Sequence, residues 1–114
     1  MEDKIKTLLE SLNTGIIVLE DALPNNFPCI TFHLYSEGGT LFGSGTATEE
    51  GANCQIDIWY KVKTNKVKSA IKAIKQAIVN ERYLSYPNKD TVFETATKIY
   101  HTYFNFEIIN ESEE

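Results

Sequence analysis

"QIDIWYKVKTNKVKSAIKAIKQAIVN", Gln55 to Asn80, sets how the rest of the chain is read. Its opening alternates. Cys54, Ile56, Ile58 and Tyr60 fall on one side of an extended strand, Asn53 to Val62, and Gln55, Asp57 and Trp59 on the other. Successive strand side chains point to opposite faces, so one side is buried and the other is wet or at an interface. The period then changes. Val67, Ala70, Ile71, Ile74, Ala77 and Ile78 recur at three- and four-residue steps, the stripe of an amphipathic helix. Asn65 is a suitable N-cap for it, and Lys68, Lys72 and Lys75 line its opposite side.

Working outward, "EDKIKTLLESLN" places Ile5, Leu8, Leu9 and Leu12 on one helical face, and "NTG" ends it with Gly15 in a left-handed position. Ile16 to Glu20 is a short apolar run that suits an edge strand. "DALPNNFP" is a loop, because its prolines and asparagines break regular structure. "CITFHLYS", Cys29 to Ser36, is a strand with Ile30, Phe32 and Leu34 on one face and Cys29, Thr31, His33 and Tyr35 on the other. "EGGTLFGSGTATEEGAN" holds five of the six glycines and reads as a surface excursion, a place for contacts. After a turn at "YLSYPNKD" comes a long aromatic strand, with Tyr100, Thr102, Phe104, Phe106 and Ile108 on one face. The tail Asn110 to Glu114 is acidic and reads as frayed.

The order α-β-β-β-α-β, with consecutive alternating strands, predicts an α+β two-layer sandwich. About four strands form a mostly antiparallel or mixed sheet, and both helices lie on one face. The 114 residues make one domain, 1–114.

Charge narrows the partners. A net charge of -5 argues against a general nucleic-acid binder, which needs cationic surface. The charge is uneven, however. Lys61 to Lys75 carries six lysines and no acid, which leaves five basic against sixteen acidic residues elsewhere, a balance of -11. The plain reading of the stripe is a solvated helix face; the sharper one is contact with an acidic surface, including a copy of this chain. No stretch approaches the ~20 apolar residues that span a bilayer, and the first residues lack a signal-peptide core, so an intracellular protein is expected. Cys29 and Cys54 are then free thiols in the core, although paired strands would also allow a disulfide.

Chemistry is hard to find. "GGTLFGSG" lacks the Lys-Ser/Thr of a phosphate loop, and "GSGTAT" has Thr48 where a dinucleotide fingerprint needs its third glycine. His33 and His101 could meet across the sheet with Asp57 or Glu107, but a strand histidine is more often an ordinary hydrogen-bonded side chain than a metal ligand. Neither cysteine has a neighbour that would lower its pKa, and Asp57 stands alone on its strand face. No catalytic residue, cofactor or metal ligand is therefore expected. Trp59, between Asp57 and Lys61, reads equally as an interface anchor or as part of a second core face.

A leading helix, "PCITFHLY", a glycine-bearing excursion, "QIDIWYKV", "AIKAIKQAI" and the closing "YHTYFNFEI" follow one another in an order that resembles the tail-completion, or tail-terminator, proteins of long-tailed bacteriophages and prophages. The likeness spans roughly Met1 to Ile109. It implies a non-enzymatic ring, usually hexameric, that caps the tail tube and joins it to the head connector. DNA would pass the lumen without specific contact. The protein would sit in the host cytoplasm during assembly and in the virion tail afterwards. The expected contacts are Glu37, Gly38, Gly39, Leu41, Phe42, Gly43, Gly45, Glu49 and Glu50 of the excursion, then Trp59, and Lys61, Lys63, Lys66, Lys68, Lys72 and Lys75. The competing expectation is a small intracellular adaptor that binds through a sheet edge or the same loop.

Overall fold

A computed structural model describes residues 2–20, 26–36 and 52–108. Strand β3, Ala52–Tyr60, lies at the middle of a five-stranded mixed sheet. On one side it pairs antiparallel with β2, Cys29–Ser36, setting Ile30 opposite Ile58 and Phe32 opposite Ile56. On the other it pairs antiparallel with β5, Ile99–Glu107, setting Ile56 opposite Phe104 and Tyr60 opposite Tyr100. β1, Ile17–Glu20, lies parallel to β2 at one edge, and β4, Asn88–Glu94, lies antiparallel to β5 at the other. The order is β1-β2-β3-β5-β4.

Cross-strand partners share a face. Ile30, Phe32, Cys54, Ile56, Ile58, Tyr60, Phe104 and Phe106 therefore form one apolar surface, and both helices bury against it. Helix α1, Glu2–Ser11, contributes Ile5 and Leu9; α2, Asn65–Asn80, contributes Val67, Ala70, Ile71, Ile74 and Ile78. The expected two-layer α+β sandwich is found, with the helices on one side.

Three details differ from the sequence reading. The sheet has a fifth strand: Asn88 to Asp90, read as turn, continues into Thr91–Glu94 and pairs with β5. The turn signals are overridden because β5 offers a full ladder of partners. The N-cap of α2 is Thr64, whose Oγ1 accepts from the Val67 N–H at 3.3 Å, and not Asn65. The first left-handed residue after α1 is Asn13 (φ 54), ahead of Gly15 (φ 78). Lys66 Nζ reaches the Gly15 carbonyl at 3.5 Å and ties the start of α2 to this turn.

A short chain of hydroxyls crosses the helix-side face. Tyr60 Oη lies 2.8 Å from Thr102 Oγ1, which lies 2.8 Å from Thr91 Oγ1 on the edge strand. Thr102 has no exposed surface, so the two contacts satisfy a polar group that burial would otherwise penalise.

The cysteines are free and buried. Their strands do pair, but the register sets Cys29 opposite Trp59 and Cys54 opposite Leu34, on opposite faces, so the thiols cannot meet. Burial raises the pKa of both, and for Cys54 burial and the nearby Asp57 charge push it up to about 12. The folded chain thus keeps the Cys54 proton where the unfolded chain loses it. This contribution is complete below the unfolded pKa and drains as pH rises towards 12. Urea unfolding should show stability falling by about 1.4 kcal/mol per pH unit above roughly pH 9 from this group. The Cys54→Ala variant should have a shallower slope by that amount; equal slopes would refute the assignment.

Candidate interaction surfaces

The second face of the sheet carries no helix or strand among the described residues. Register arranges it in rows. Cys29, Trp59, His101 and Val92 form one; Thr31, Asp57, Tyr103 and Asp90 form the next; His33, Gln55, Asn105 and Asn88 the third. The side chains lock together. The Trp59 and His101 rings stack with centroids 4.0 Å apart at 8°. His101 Nε2 lies 2.7 Å from Asp57 Oδ1, and Gln55 Nε2 donates to the same oxygen at 2.8 Å. Trp59 Nε1 donates to Thr31 Oγ1 at 2.9 Å, and the Tyr35 hydroxyl donates to Asn105 Oδ1 at 2.9 Å.

Asp57, on the face expected to be wet or at an interface, is only 4% exposed. Two donors hold its carboxylate, and Trp59 stacks on one of them, His101. Trp59 itself is half-buried, so it is both a packed residue and a surface one. His33 does not join this group; its ring lies 5.6 Å from Tyr35. No cluster of three or more His, Cys, Asp or Glu side chains suited to a metal occurs among the described residues. In the rows beside the Asp57–His101 pair, Thr31 Oγ1 is engaged by Trp59, and burial raises the pKa of Cys29.

The lysines separate into two sets. Lys63, Lys68, Lys72 and Lys75 converge with Lys89 of β4 around Ile71, lining an open groove of about 250 Å³. Lys89 was not among the residues expected here, since the strand that carries it was read as a turn. Lys75 Nζ also lies 5.6 Å from the Tyr86 ring. Lys61 and Lys66 leave the stripe: Lys61 lies 5.3 Å from the Phe27 ring, and Lys66 binds Gly15. Glu37, Gly38, Gly39, Leu41, Phe42, Gly43, Gly45, Glu49, Glu50 and the tail Asn110 to Glu114 lie outside the described residues.

The edge strand β4 is a third surface. All seven of its residues are exposed, and Val92 and Phe93 show 48% and 43% of their surface. Only one of its two backbone edges is paired among the described residues. No described helix is long and apolar enough to cross a membrane. Comparison with protein-family models, with curated proteins and with solved structures gives no significant match.

Proposed function

We propose that this chain is a non-enzymatic assembly protein of the phage tail-completion type, a ring subunit that caps the tail tube and joins it to the head connector. The observation that carries the reading is β4, a seven-residue strand exposed along its length at one end of the sheet, with β1 at the other end. An open edge is a liability in a monomer and a ready docking element in an assembly. A closed ring needs two unlike patches on each subunit, and two different sheet edges supply them. A hexamer is the expected ring. The acidic balance of the chain suits a lumen that repels DNA phosphates and lets the duplex slide past. The Trp59–His101 surface is then available to the tube or the connector. On this reading the protein works in the host cytoplasm and stays in the virion.

The same edge would let a cellular adaptor capture an extended peptide. Self-association distinguishes the two. Sedimentation and electron microscopy of the purified chain should show a discrete ring that forms with rising concentration. The V92K/F93K variant should remain folded and monomeric, because charged edge residues block strand addition. A chain that stays monomeric at every concentration and forms no ring with tail tubes would overturn the proposal.

A further inference from the structure

We propose that β4 of one copy pairs with β1 of the next copy, in the register that sets Lys89 opposite Glu20, so that the lysine groove receives a carboxylate from its neighbour. The pairing rests on the ring reading, to which it gives a contact. Strand directions allow it. β1 runs parallel to β2, and three antiparallel steps lead from β2 to β4, so the two edges of the sheet run in opposite senses. A neighbour generated by rotation about an axis along the strands keeps those senses and keeps its helices on the same face. Its β1 therefore meets β4 antiparallel, and the sheet continues from copy to copy.

The side chains choose the register. Opposite residues share a face, so the pairing can slide only in steps of two. Lys89 pairs with Phe104 and Glu20 with Phe32, which puts both on the helix side. With these two opposite, Thr91 falls beside Val18 and Phe93 beside Ile16. Phe93 then meets an open groove of about 420 Å³ lined by Leu9, Ile16 and Val18. On the other face Val92 falls beside Ile17, and these apolar side chains are 48% and 55% exposed in the single chain. Asp90 beside Leu19 is the one unmatched pair. A slide of two residues in either direction sets Asp90 or Glu94 against Ile17 and parts Lys89 from Glu20.

Charge favours the same arrangement. Lys89 shares its groove with Lys63, Lys68, Lys72 and Lys75. None of the five has a carboxylate within ion-pair distance among the described residues, where the one close acid–base contact is His101–Asp57. Helix α2 has no acid in its sixteen residues. Gathered like charges favour an anionic neighbour, and Glu20 is exposed at the end of β1.

The test is disulfide trapping with I17C and V92C variants in oxidised glutathione; Cys29 and Cys54 are buried. Opposite residues of an antiparallel pair lie about 4.5–5.5 Å apart, within disulfide reach. A mixture of I17C and V92C should form a mixed dimer about tenfold faster than either variant links to itself. Adding E20K to the I17C chain should slow that reaction about tenfold, because it brings a lysine to five others. Adding K89E to the V92C chain should then restore it, and salt should slow the natural pair. Equal rates for the mixture and the single variants would overturn the pairing. So would V92C linking fastest to itself, which would put two β4 edges together, or E20K without effect. Rings seen by microscopy with no mixed dimer would sink this pairing and leave the ring reading standing. The ring reading fails only if no ring forms, with or without tail tubes.

Discussion

Replacing Phe104 with alanine should cost about 3–5 kcal/mol of folding stability, the largest loss expected from any single truncation here. Phe104 has no exposed surface and sits on an interior strand, opposite Ile56 of β3 and Lys89 of β4. It belongs to the cluster in which α1, α2 and the sheet meet. Such a residue is boxed in by neighbours that cannot all collapse into the space it leaves, so the cavity adds to the lost burial. Against a typical domain stability of about 5–15 kcal/mol the loss is a large fraction. Urea unfolding should show a lower midpoint with an unchanged slope. A cost near that of a surface substitution would mean that the helices cover the other face.

Replacing Asp57 with alanine should cost about 2–3 kcal/mol, the scale of hydrogen bonds to a charged group left unmade. One oxygen of its carboxylate holds both His101 and Gln55, and the His101 side chain keeps 24% of its surface exposed. Without that acceptor the imidazole loses its anchor and the Trp59 stack loosens. The near-ultraviolet circular dichroism of Trp59 should weaken while far-ultraviolet signal persists. Asp57→Asn keeps an acceptor oxygen in place and should cost less than half as much. If alanine and asparagine behave alike, the pair does not organise this face.

Alternation in Asn53 to Val62 and the three-four spacing after Asn65 were enough to place β3 and α2, and with them the apolar face. Burial of Ile56, Ile58, Ile71 and Ile74 follows from periods that a single segment carries. Two things were not legible. β4 shows no alternation of burial, since every residue in it is exposed; its strand state comes from pairing with β5, and "PNKD" reads locally as a turn. The Asp57–His101 contact joins residues 44 positions apart. Face assignment put Asp57 and His101 on one side, but which histidine met the carboxylate depended on the offset between β3 and β5. The lysine stripe shows the same limit. Helical spacing grouped its members, while Lys61 and Lys66 were drawn away by a phenylalanine ring and a carbonyl in other elements.

The Tyr60–Thr102–Thr91 hydroxyls join the rim of the sheet to its interior. Three oxygens share two contacts, and each brings one hydrogen, so the row can polarise in either sense without moving a heavy atom. Thr91 stands at the rim. A neighbour that accepts there, or donates there, selects the sense for the entire row, and the choice arrives at a phenol in the interior. Occupancy of the rim would thus be written into the Tyr60 hydroxyl as a proton orientation.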